Sequence, residues 1–323
     1  MTAAIVWQRR RSAVAGVWRE FAANRGGLAG LAVLVVIVVL ALLAPVITDQ
    51  AGLDVTNAPG RPLQAPSGKF PLGTDIDGRS VLLLTLWGAR VSLLVGFSAT
   101  ILSVLIGTLV GLAAGHFGGW VAAVLLRFTD FFLVLPSLVL AIALSTVLPQ
   151  GIATIILAVG VTSWPTTARL VRAQTLTIES RPYIERAKAL GGGHGHIVGK
   201  HVLPGVLPLV LANTTLVVGN SIIAESTLSF LGLGDPSAVS WGSMLQRALQ
   251  SGAVTGGAWW YLLPPGLAIV VIVLCFTLVG RALETVLNPR LARGTGRSGR
   301  DGGARSKEDR SGAGVPQDKG ARA

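Results

Sequence analysis

Six stretches of this chain run for about 20 residues with little or no charge, and segments rich in Gly, Pro, Arg and Asp separate them. A bilayer core about 30 Å thick is crossed by about 20 apolar residues in an α-helix. The pattern therefore predicts an all-α integral membrane fold with six transmembrane helices, at 28–48, 91–114, 121–148, 152–171, 205–227 and 262–283. Gly107, Gly111 and Gly115, four residues apart, fall on one helix face and let a neighbouring backbone approach closely. Ordinary packing within the chain accounts for them. In the third block Arg127 and Asp130 are one turn apart and are expected to pair with each other. Pro136 is expected to kink the same helix. Arg169 and Arg172 mark where the fourth helix leaves lipid.

The polar segments orient the chain. Residues 1–27 are basic, with Arg9, Arg10, Arg11, Arg19 and Arg25 against Glu20. The apolar run that follows is longer than the core of a signal peptide and has no small-x-small cleavage site after it. It is expected to be an uncleaved anchor with a cytoplasmic N-terminus. Counting from there, 49–90 is an extracytoplasmic loop, and its charges cancel. The 172–204 loop then falls inside with Arg172, Arg181, Arg186, Lys188 and Lys200, whereas the 228–261 loop falls outside with Arg247 as its one Lys or Arg. The C-terminus falls inside as well, and its basic excess from Arg281 onward agrees with the positive-inside bias. Residues 291–323 are mostly small and charged, cannot bury enough surface to offset ordering, and are expected to be a disordered cytoplasmic tail.

Composition removes other classes. Only 13% of residues are charged, against about 25% in soluble domains. The net charge of +12 would suggest nucleic acid in a soluble protein. Here the cations sit at the chain ends and in one loop, which fits a membrane orientation signal and no nucleic-acid partner. Cys275 is the only cysteine, so no intrachain disulfide forms.

The segment from Ser180 to Pro208 carries the most information. Pro182 suits the first turn of a helix, where its missing N–H costs nothing. Gly191, Gly192 and Gly193 end that helix. The helix between them is roughly 13 Å long, with Ile184, Ala187 and Leu190 on one face and Glu185, Arg186 and Lys188 around it. A helix this short needs a surface to pack on. A groove on a partner protein and the lipid headgroup layer both fit.

Glu185-Arg186-Ala187, three residues, Gly191, nine residues and His201-Val202-Leu203-Pro204 resemble the Glu-Ala-Ala loop of the membrane subunits of bacterial ABC importers. Arg186 and His201 depart from that pattern, and the spacing is kept. Pro71 to Asp75, Asp77 to Ser80, Gly88 to Arg90, Leu228 to Gly234 and Ser240 to Leu245 resemble the dipeptide, oligopeptide and nickel branch, in its C-type permeases. The resemblance implies a type I importer permease fold, with residues 91–290 as the core permease domain. It implies a coupling helix at 182–190, with ATPase-coupling residues Tyr183, Ile184, Glu185, Arg186, Ala187, Lys188, Leu190, Gly191, Leu203 and Pro204. Its implied partners are a homologous B-type permease, two cytoplasmic ATPase subunits that carry ATP and Mg, and an extracytoplasmic substrate-binding protein. The setting is the bacterial cytoplasmic membrane, and the cargo is a di- or oligopeptide, with nickel or another small solute as the alternative within the class. An ATPase-independent secondary transporter is the reading from a different class, and the docking-helix loop argues against it.

No enzymatic site emerges. A phosphate loop needs Gly, four residues and Gly-Lys-Ser/Thr, but Gly199-Lys200 is followed by His201, and His194 stands where the first Gly belongs. No nucleotide or other cofactor is expected on this chain. His194, His196 and His201 lack metal-site spacing and an intervening acid, so no metal site is expected. Glu225, near the outer end of the fifth helix, is a pathway candidate with Asn213 and Asn220. Local pairing with Arg79, Arg90 or Arg247 is the alternative for Glu225.

Overall fold

The computed structural model describes residues 15–287. The first arginine cluster and the predicted basic tail lie outside the described residues. Residues 15–23 form helix α1, which precedes α2 (Arg25–Ile47), α3 (Val81–His116), α4 (Gly119–Val134), α5 (Ser137–Val147), α6 (Ile152–Glu179) and α7 (Pro182–Ala189). Then come α8 (His194–Ile197), a π turn at Val198–Val202, α9 (Leu203–Phe230), α10 (Trp241–Gln250) and α11 (Trp259–Leu287). Five helical stretches are long and apolar enough to cross a membrane: α2, α3, α6, the continuous His194–Phe230 rod, and α11. The pair α4–α5, bent by 86°, is the candidate for a sixth crossing if the two helices form one broken span rather than a re-entrant loop. Pro136 therefore breaks this helix rather than kinking it. Leu135 before it is extended, at φ −80° and ψ 128°, as the proline ring demands of its neighbour.

The apolar blocks found the spans but not the helix ends. The expected 49–90 loop stops at Ser80, whose side chain caps α3, so 81–90 is helix. The fifth helix starts at His194 and not at 205. Hydrophobicity marks the hydrocarbon layer, while backbone hydrogen bonding carries a helix on into the polar layer. Residues 49–80 hold only two short 3₁₀ turns and one isolated bridge, Thr74 to Ser80. Buried polar contacts still order them. Arg79, 4% exposed, pairs with Asp75 at 2.7 Å and Asp77 at 2.8 Å. Thr74 donates to the Arg61 carbonyl and accepts from the Gln64 amide.

Contacts at the two ends fix the bundle. At one end Trp87 donates to Thr48, and Trp260 donates to the Thr74 carbonyl. At the other, the ends of α3 and α6 and the start of α8 meet at His116, Glu179 and His194. Between them α3 lies on α6. A Cβ on Gly107 would sit 2.7 Å from the Trp164 carbonyl oxygen, and one on Gly111 2.5 Å from that of Ala168. The glycine face is thus used within the chain. Asp130 pairs not with Arg127 but with Arg169 across to α6, at 2.7 Å. The i,i+3 partner lost to one on the neighbouring helix.

Candidate functional site

Helix α7 starts with Pro182 and ends at Leu190, with Gly191 in the left-handed region at φ +80°. The Gly192 amide reaches back to the Ala187 carbonyl and that of Gly191 to the Lys188 carbonyl. This closure needs a residue that tolerates positive φ, which glycine does without strain. The proposed apolar face is divided. Ile184 is fully buried in a core with Leu112, Val171, Ile178, Ile197, Val202, Val206 and Val210. Ala187 is half-buried, and Leu190 is 82% exposed. Ile184 therefore cannot touch a partner as expected; it anchors α7 to its own bundle. The outward surface consists of Tyr183, Glu185, Arg186, Lys188 and Leu190, all exposed. Leu203 packs against the same core, and Pro204 is exposed at the start of α9.

A chain of polar side chains ties α7 to the transmembrane helices. Lys188 Nζ lies 2.6 Å from Glu179 Oε2 at the end of α6. Glu179 Oε1 lies 2.6 Å from His116 Nδ1 at the end of α3. His116 Nε2 lies 2.9 Å from His194 Nδ1 at the start of α8. With the carboxylate accepting on both sides, His116 presents its N–H at Nδ1 to Glu179. Sequence reading missed both His116 and Glu179, which are 63 positions apart. For His116 the available signal was a lone ionisable residue just past the end of an apolar block; Glu179, between Arg172 and Arg181, carried none.

The other histidines do not converge with these. His196 stacks edge-on to His201, whose ring lies 6.2 Å from that of Tyr183. Among the described residues no group of three or more His, Cys, Asp or Glu is placed to hold a metal ion.

The three pathway candidates do not share a surface. Asn213 donates to Thr167 Oγ1 at 3.2 Å, joining α9 to α6, whereas Asn220 is exposed. Glu225 is five residues further on, about 140° round the helix, and is fully buried. Its carboxylate accepts from Ser92 at 2.9 Å, Ser229 at 2.8 Å and Ser226 at 3.2 Å. It forms no ion pair with Arg79, Arg90 or Arg247, so an arginine is not what satisfies it. Hydroxyls satisfy this carboxylate where a cation was expected. Ser92 also accepts from the Trp241 amide, and Trp241 Nε1 donates to the Thr85 carbonyl. The cluster holds the start of α10 against α3 and α9.

Residues 107–293, which include the α7 segment and the polar chain, match a family described as the binding-protein-dependent transport system inner membrane component. The chain belongs to this family. Residues 12–66 match the N-terminal transmembrane domain of oligopeptide transport permease C. Among curated relatives, the di/tripeptide transport system permease DppC of Pseudomonas aeruginosa is 35% identical, over 85% of this chain and 91% of that protein. The dipeptide permease DppC of Alkalihalophilus pseudofirmus is 35% identical over 77% of this chain and 80% of its own length. The oligopeptide permease OppC of Bacillus subtilis is 36% identical over 71% and 74%. A chain of the inward-facing MetNI methionine ABC transporter superposes with a TM-score of 0.51 at 21% identity, covering 64% of this chain and 97% of that one. This likeness shows the ABC importer permease fold. The protein is thus a multi-pass membrane permease subunit and not a catalytic enzyme, and its family works with an ATPase and a substrate-binding protein.

Proposed function

We propose that this chain forms half of the translocation pathway of an ATP-driven importer of di- or oligopeptides in a bacterial cytoplasmic membrane. The peptide cargo rests on the relatives named as dipeptide, di/tripeptide and oligopeptide permeases. A homologous B-type permease supplies the other half, two ATPase subunits bind ATP and Mg, and an extracytoplasmic protein delivers the peptide. Both termini of this chain face the cytoplasm.

The observation that carries the coupling role is the divided face of α7. Ile184 and the Lys188–Glu179–His116 chain hold the helix to the bundle, while Tyr183 and Leu190 stay 45% and 82% exposed. An exposed leucine and tyrosine ringed by Glu185 and Arg186 suit a cleft on the ATPase, which would grip α7 outside while Ile184 anchors it inside. ATP-driven closure of the ATPase pair then moves α7, and α7 moves α3 and α6. Gly191 supplies the turn that lets the chain leave the cleft.

The test is purification of the tagged transporter in mild detergent beside a Glu185→Ala/Leu190→Asp variant. The parent is expected to retain a second permease and the ATPases, and the variant to lose the ATPases alone. A parent that purifies by itself and still transports after reconstitution would sink the reading.

A further inference from the structure

A cavity of about 820 Å³ opens between α2 and α3 at the end of the bundle opposite α7. Its volume is within the range of sites that hold a small molecule, roughly 300–1,000 Å³. Three arginines, Arg79, Arg90 and Arg247, contribute to its lining, and no Asp or Glu does. Arg79 spends its charge on Asp75 and Asp77. Arg90 lies over the Trp87 ring at 5.0 Å. Neither Arg90 nor Arg247 has a carboxylate within 4.0 Å among the described residues, and both are partly buried. Two unneutralised cations in a semi-enclosed apolar site call for an anion, because partial desolvation strengthens the field they create.

The apolar part of the cavity says which anion. Leu42, Leu94 and Phe97 line it and are 67%, 54% and 39% exposed. On α3 the same stripe continues through Ile101, Leu105 and Leu109, all more than half exposed, toward the α7 end. Arg90 stands about 39 Å along the helix from His116, and Phe97 about 10 Å below Arg90. Polarity is therefore layered along the membrane normal, with cations at the interface and a continuous apolar track beneath them. An amphiphile with one anionic head and a long tail matches that layering. A small hydrophilic anion would leave the track unused.

We infer that Arg90 and Arg247 hold the phosphate of an anionic phospholipid, drawn from the leaflet opposite the coupling helix, with an acyl chain along the Leu94–Leu109 stripe. Nothing in this inference depends on the cargo being a peptide. Each cation near an anionic headgroup favours binding by about fivefold. Two should give the wild type a preference of roughly 25-fold for phosphatidylglycerol over phosphatidylcholine.

The experiment is native mass spectrometry of the whole transporter, equilibrated with mixed phosphatidylglycerol and phosphatidylcholine micelles. It compares wild type with Arg90→Gln/Arg247→Gln and Arg90→Lys/Arg247→Lys, with basal ATP hydrolysis as the check on assembly. The inference expects the glutamine variant to fall within about twofold of no preference, and the lysine variant to keep most of it. Equal preference in wild type and glutamine variant overturns it, as does a wild type with no preference, the result if the second permease covers the stripe. If lipid preference is unchanged while the glutamine variant loses uptake of a free-acid tripeptide but not of its C-terminal amide, the arginines serve the cargo and the lipid assignment fails.

Discussion

The two ends of the bundle are held together by polar groups of different kinds. Opposite α7, Asp75, Arg79 and Glu225 are almost wholly buried, and their partners lie in the 75–79 turn, on the Leu53 carbonyl, on Ser92 of α3, or on Ser226 and Ser229 of Glu225's own helix α9. At the α7 end, Lys188 is 48% exposed, whereas Glu179 is 10% and His116 2% exposed. There the contacts run between four separate elements, α3, α6, α7 and α8. A buried pair strongly resists loss of one member, because the other is left charged and dry. An exposed pair contributes little, because water replaces either partner. One end thus rests on buried polar groups throughout, while at the other the buried His116–Glu179 contact joins α3 to α6 and only the exposed Lys188 contact to α7 can be exchanged at low cost.

Removing a buried member at the far end should have the largest effect. Asp75→Ala strands Arg79 with Asp77 alone and should destabilise the protein by roughly 3 kcal/mol, read as a lower apparent unfolding midpoint of the purified transporter. An unchanged midpoint would erase the contrast between the ends. Glu179→Ala comes next. It removes the shared acceptor of Lys188 and His116, at about 2 kcal/mol. It should also loosen α7, seen as faster amide exchange across 182–190; exchange unchanged there would mean that Ile184 alone holds the helix. Lys188→Ala should cost less than about 1 kcal/mol, leave the ATPases bound, and raise the ATP hydrolysed per peptide imported. A ratio equal to wild type would show that the lysine contact is decoration on the surface.

The sequence could be read where one segment settles the outcome by itself. Block length found the spans, Pro182 and Gly191 bracketed α7, and the Glu185 to Pro204 spacing pointed to the family that residues 107–293 match. It could not be read where the outcome depends on two distant segments meeting. Asp130 found Arg169, 39 positions away, in place of Arg127. Ile184 has the look of a docking residue until the fold places Val206 and Leu112 around it. Glu225 looked like a partner for arginine because serines at 92 and 229 are not recognisable as a carboxylate shell until α3 and α9 are side by side.

The glycine contact between α3 and α6 has a mechanical consequence. With no side chain at Gly107 and Gly111, the backbones of α3 and α6 approach so closely that no space is left between them for a Cβ at either position. His116 and Glu179 pin the same seam at its end. The pair should behave as one stiff beam, about 54 Å long on α3 and about 42 Å on α6 at 1.5 Å per residue. If an ATPase pushes on α7, a tilt at that end of the seam should reach the other end with little slack. On the proposed coupling, the two ends of this seam would move together, with no relay of separate steps between them.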